Sequence, residues 1–119
     1  MFTFDPNYTF HWPVTVEMPD AGGVSTAEFT AHFRLVEEDE LFARRGGEAS
    51  PEMTDLLAGE RAALGDRLLG WEGIQTPSGD PLPFSAENRE MLLRQRPIRE
   101  AVAKAYFDAV LRRGIAEKN

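Results

Sequence analysis

Val14, Val16 and Met18 alternate with polar neighbours, and the alternation returns from Ala27 through Phe29, Ala31, Phe33 and Leu35 against Glu28, Thr30, His32 and Arg34. A period of two is the mark of a strand with one buried face, so two half-buried strands are predicted. Pro19, Asp20, Ala21, Gly22 and Gly23 between them turn readily, and the short separation predicts an antiparallel hairpin. Residues 37–45 suit a short helix, with acids in the first turn, Leu41 and Phe42 apolar, and arginines before Gly46 and Gly47. Ser50 and Pro51 open a further helix whose stripe is Met53, Leu56, Leu57, Leu64 and Leu68, expected to stop at Gly70. The stretch 70–84, GWEGIQTPSGDPLPF, holds glycine and proline too densely for a regular element and reads as a shaped loop. Ser85 caps another helix through Met91 and Leu92, which Pro97 interrupts or ends.

The clearest helical period is the last. Ile98, Ala101, Val102, Ala105, Tyr106, Ala109 and Val110 share one apolar face, and Gly114 is a natural stop. Strands first and helices after predict an α+β fold, in which a small antiparallel hairpin or sheet is followed by about four helices packed on one face. With 119 residues the chain is expected to be a single domain, 1–119. Its parts are a strand region 1–36, helices 37–69, the loop 70–84 with Trp71, and C-terminal helices 85–114.

Charge narrows the function classes. The net charge is −7, and its acidity lies in the first half, where residues 1–60 carry 12 Asp and Glu against 3 Lys and Arg. Residues 61–119 carry 8 acids and 10 bases. Such a chain repels a phosphate backbone, and no basic run offers an exception, so nucleic acid is excluded as an expected partner. The run Glu37, Glu38, Asp39 and Glu40 reads as a solvated helix start in preference to a recognition patch, and no function is assigned to it. There is no cysteine, which fits a reducing compartment. The opening residues MFTFDPNYTFHW lack a basic region and an unbroken apolar run, and no stretch has the roughly 18 apolar residues of a membrane span. A cytoplasmic protein without membrane contact is expected.

Catalytic chemistry finds little support. Ser25, Ser50, Ser78 and Ser85 lie in turn or cap contexts, with no thiol and no nucleophile elbow. His11 and His32, both in the strand region, can meet across it but lack a third ligand at a recognisable spacing. No glycine pattern cradles a phosphate. No catalytic residue, metal site or cofactor is therefore assigned, and the chain is expected not to be an enzyme.

The stretch from Gly70 to Gly73, G-W-E-G, then S-G-D-P-L-P-F-S-A-E-N from Ser78 to Asn88, then the alanine-rich helix with Tyr106 and the final Lys118 and Asn119, resembles the tail assembly chaperones of long-tailed (siphovirus-type) bacteriophages. Pro13 to Val16 is similar to the Pro-Val-Thr-Val-like start of that family's strand pair. The detailed likeness covers about 50 residues from Gly70 onward, and residues 37–65 add nothing specific to the family. The resemblance implies an ATP-independent holdase, of phage or prophage origin, that coats the tape measure protein and keeps it soluble until tube subunits polymerise. It implies work in the cytoplasm of the host cell and absence from the mature virion.

The resemblance further implies that a ribosomal slip yields a longer form that recruits the tail tube protein. Glu117, Lys118 and Asn119 permit a slippery GAA AAA AAC, which would make this chain the short, non-frameshifted form. Candidate contacts to a partner or to a second copy in a homo-oligomer are Phe2, Phe4, Tyr8, Phe10 and Trp12, five of the twelve aromatics, together with Trp71, Leu82 and Phe84. For the first five, a strand of the chain's own sheet and an arm docking elsewhere are both open. For Trp71, Leu82 and Phe84 the competing reading is plain packing of the loop onto the core. Ser85 is read as a cap, and Tyr106 as a core residue whose hydroxyl reaches the surface. An unrelated small acidic adaptor or chaperone is the alternative function, and a small-molecule enzyme a distant third.

Overall fold

The computed structural model describes residues 1–41 and 61–111. The predicted hairpin is present: β1 (Thr9–Asp20) and β2 (Gly23–Arg34) pair antiparallel over their whole length, from Thr9 opposite Arg34 to Asp20 opposite Gly23. Ala21 and Gly22 form the two-residue turn with φ of 48° and 84°. Positive φ at both central positions is the type I′ geometry, whose twist matches that of the flanking strands. Gly22 takes this conformation freely, whereas Ala21 carries its Cβ into a region that disfavours it.

The turn also fixes which backbone groups face outward. Asp20 and Gly23 close the loop as a hydrogen-bonded pair, so every second residue from Asp20 back to Tyr8 turns its polar groups toward β2, and the Leu35 amide donates to the Tyr8 carbonyl at 3.0 Å. The odd-numbered residues of β1 point theirs away from β2. Pro13 and Pro19 stand at two of those positions, where the missing N–H takes a donor off the free edge. The sheet order is β1-β2-β3, so β1 is an edge strand guarded by its own prolines.

The third strand corrects the expected map. β3 (Leu68–Glu72) pairs antiparallel with β2, with Ala31 opposite Trp71 and a bulge between His32 and Phe33. Leu68 therefore belongs to a strand and not to a helical stripe, and Gly70 to Glu72 are strand and not loop. Residues 61–67 are helical, as expected, but the helix gives way to strand three residues before Gly70. Its expected opening at Ser50 and its Met53, Leu56 and Leu57 lie outside the described residues.

The fold is α+β, and among the described residues three helices have both bounds, α1 (Glu38–Leu41), α2 (Ala86–Leu93) and α3 (Arg96–Leu111), beside the helical residues 61–67, where about four helices were expected. The predicted cap at Ser85 is present, its Oγ accepting from the Asn88 amide at 3.1 Å. Pro97 sits in the first turn of α3, where its missing N–H costs nothing because that amide would have no partner inside the helix. The expected stop at Gly114 lies outside the described residues, as does the end of the predicted 37–45 helix beyond Leu41. Helix α3 packs along β1, and Val14, Val16, Phe29, Ala31, Phe33, Leu64, Leu68, Leu93, Val102, Ala105 and Tyr106 form the core. The even positions of β1 and odd positions of β2 thus face the helices, as the alternation predicts. No described helix is long and apolar enough to cross a membrane.

Candidate functional site

The five aromatics of the first twelve residues divide between two environments. Phe10 and Trp12 are even-numbered residues of β1 and are partly buried against the core, Phe10 lying 5.7 Å from Phe33 and 6.2 Å from Tyr106 between ring centres. They complete the chain's own sheet. Phe2 and Phe4 precede the strand and stand 83% and 75% exposed, with Tyr8 exposed between the two groups. Large apolar side chains this open lose the free energy that burial would return, roughly 1.5–3 kcal/mol each. The strand reading thus holds for Phe10 and Trp12, and Phe2 and Phe4 lie outside the strand in the open.

Trp71 lies on the inner face, beside Ala31, with Trp12 across from Ala31 on the other side. The small Ala31 side chain between two indoles leaves room for both. Trp71 Nε1 donates to the Leu82 carbonyl at 2.9 Å, and its ring meets the edge of Phe84 at 4.8 Å. Between them the chain folds back on itself: Leu82 donates to the Ile74 carbonyl, Gln75 bridges Pro81, and Thr76, Ser78 and Asp80 join side chains around Gly79 at φ 93°. Gly73, at φ 91°, makes the sharp exit from β3, where an added Cβ would touch Phe29 at 3.6 Å. Asn88 Nδ2 then ties α2 to the Pro83 carbonyl at 2.9 Å. Trp71, Leu82 and Phe84 are thus brought together as one closed lobe, with Phe84 still 37% exposed beneath the Arg89 guanidinium.

The opposite end of the sheet is keyed by Tyr106, which is wholly buried. Its hydroxyl donates to the Arg34 carbonyl at 2.8 Å and accepts from the Val36 amide at 3.1 Å, so it satisfies the backbone where β2 ends. The expectation that this hydroxyl reaches the surface is corrected: the last strand residues close over it. Burial pushes the phenol above its usual pKa, with the Val36 hydrogen bond and the Arg67 charge acting the other way. Arg67 is itself buried, its guanidinium 5.3 Å from the Tyr106 ring centre and donating to the Glu40 carbonyl at 3.3 Å. Arg99 is buried on α3 and donates to the Leu93 carbonyl at 3.1 Å, which closes the end of α2. Neither arginine was singled out from sequence. Arg99 falls three and seven positions before Val102 and Tyr106, so helical spacing alone places it on the inner face.

On the outer face His11 and His32 do meet, opposite one another in register with rings stacked 4.5 Å apart. Gly70 lies beside His32 on β3 and adds no side chain there. Among the described residues no set of three His, Asp or Glu side chains is grouped to hold a metal. What the arrangement offers is apolar contact surface: the arm with Phe2 and Phe4, and the inner face of the hairpin where it extends past the helices. Around both, residues 9–33 and 68–85 carry Glu17, Asp20, Glu28, Glu72 and Asp80 and not one lysine or arginine. Compared with known proteins, the chain matches no family model, no curated protein and no solved structure.

Proposed function

We propose that this chain is a tail assembly chaperone of a long-tailed phage or prophage, an ATP-independent holdase that keeps the tape measure protein soluble in the host cytoplasm while the tail assembles. The reading starts from the resemblance carried by Gly70 to Gly73 and Ser78 to Asn88. The observation that most favours it is the exposure of Phe2 and Phe4 on an acidic half-molecule. Apolar side chains held in water supply adhesion to an unfinished client, and like charge on every bound copy keeps the coated complex dispersed. A long client binding several copies gains avidity from weak individual contacts. An unrelated small acidic adaptor would use the same surfaces for a different partner.

Co-expression separates these readings. The long helical tape measure protein that this reading expects to be encoded downstream is produced with and without this chain, and the soluble fraction is weighed and its composition measured. The chaperone reading expects soluble client with several copies of the chain bound. A folded chain that leaves the client in the pellet overturns it. The recruitment of tube subunits by a longer form is tested at codons 117–119, where a slippery heptamer with an overlapping −1 frame is expected.

A further inference from the structure

The outer face of the sheet carries two side chains that the core does not use. His11 and His32 stand opposite one another on β1 and β2. Because the odd positions of β1 turn their backbone polar groups away from β2, this is a non-hydrogen-bonded pair, the kind in which opposed side chains approach most closely. The two rings lie 4.5 Å apart between centres and within 8° of parallel. An ion bound through one ring nitrogen lies roughly 3.2 Å from that ring's centre, so two imidazoles at right angles on one ion have centres roughly 4.5 Å apart, and at a tetrahedral angle roughly 5.2 Å. The strand register therefore already sets the separation that a shared ion needs, and a tilt of the two rings toward a common point completes it. His11 is exposed and His32 half-buried, so both rings have room to turn. Gly70, opposite His32 on β3, presents no side chain against that ring, where an added Cβ would come within 3.9 Å of Nδ1.

The charge of the same face favours a cation. By the register, Glu17, Glu28 and Glu72 stand on this outer face with the histidines. Arg34 is the one base on it among the described strand residues, and its charge is already matched by Glu40 at 3.2 Å. Glu72, opposite Thr30, is the diagonal neighbour of His32, a backbone spacing of about 7–8 Å that a glutamate side chain can shorten. We propose that His11 and His32 form a two-imidazole chelate for a borderline divalent transition ion, such as zinc, nickel or copper, on the outer face of the hairpin. Imidazole nitrogen suits these ions, whereas calcium and magnesium take oxygen ligands. Among the described residues no third protein ligand is grouped with the pair, so the ion's other positions are open to water or to a ligand from elsewhere. The chelate clips β1 to β2 and therefore binds the folded hairpin in preference to the unfolded chain. The inference is independent of the assembly-chaperone reading, and its site lies on the face opposite the apolar surface.

The chain has two histidines, so NMR follows both imidazoles in the native protein without any substitution. The full chain, freed of metal with a chelator, is titrated with zinc chloride and separately with magnesium chloride at neutral pH, and zinc affinity is measured by calorimetry. Zinc is expected to shift or broaden the signals of both rings together and to saturate at one ion per chain, while magnesium leaves them unmoved. His11→Gln and His32→Gln each keep a polar side chain on the outer face. Each is expected to weaken zinc binding at least about tenfold, with far-UV circular dichroism that stays that of the parent. Zinc is also expected to raise the thermal unfolding midpoint of the native chain and to leave that of either variant unchanged. Shifts confined to one ring, equal shifts with magnesium, or zinc affinity retained when both histidines are replaced would overturn the proposal, the last by assigning the ion to the carboxylates alone.

Discussion

The same two strands are core at one end and open surface at the other. Near their base, Phe10, Phe33 and Tyr106 pack ring against ring, Arg67 covers the tyrosine, and a single hydroxyl satisfies two backbone groups where β2 ends. Toward the turn, Met18 and Ala27 occupy the same face of the same sheet and are exposed. The side-chain alternation is equally regular in both places. Periodicity thus says which face is apolar, but the extent of burial depends on where α2 and α3 lie across it. Toward the turn the apolar face is left uncovered by the described residues.

Substitutions sharpen this contrast. The largest loss is expected for Phe33→Ala, which empties a fully buried site and should cost about 3–5 kcal/mol in urea unfolding. Tyr106→Phe keeps the ring but strands the Val36 amide and the Arg34 carbonyl, so a loss of about 1–3 kcal/mol is expected from the same measurement. Because the folded pKa of Tyr106 is raised, its contribution is complete below the ordinary tyrosine value and is lost as pH climbs through the folded one. Absorbance at 295 nm in a Tyr8→Phe background should show the remaining phenol ionising late and together with unfolding.

At the turn, Ala21→Gly should stabilise by about 0.5–1 kcal/mol, since glycine relieves the strain at φ 48° while adding some freedom to the unfolded chain. The smallest effect is expected at the rim, where Met18→Ser should move stability by no more than about 0.5 kcal/mol. A loss at Met18 comparable to that at Phe33 would erase the distinction between the two ends.

The legible parts of the molecule were those with local causes. The hairpin, its turn and the Ser85 cap follow from alternation, from glycine beside a short polar turn, and from a hydroxyl three residues before an unpaired amide. β3 was not legible, because Leu64 and Leu68 are also spaced as one helical turn, and Gly70 and Gly73 disguise a five-residue strand as loop. Its pairing with β2 is a long-range event that propensity does not register. Arg67 and Arg99 escaped because hydropathy assigns arginine to water, although each folds its guanidinium onto a carbonyl or ring inside. The Tyr106 hydroxyl finds partners 70 and 72 positions away, which no local pattern displays. Of the candidate contact residues, Phe2, Phe4 and Tyr8 are exposed and Phe10 and Trp12 pack partly against the core, while Met18, Ala27, Ile74, Leu92 and Ile98 were not gathered from sequence because they come from five separate parts of the chain.

One sheet face is core at its base and exposed at its tip, and the proposed chaperone would take its client on the exposed part. Amide hydrogen exchange, read residue by residue on the chain alone and on its complex with the co-expressed client, tests this most directly. The account expects slow exchange at residues 29–34 and 102–106 in both states, and faster exchange at 16–27 and 73–75 that slows markedly in the complex. Uniform protection along both strands of the free chain, or a complex that leaves 16–27 unchanged, would contradict it.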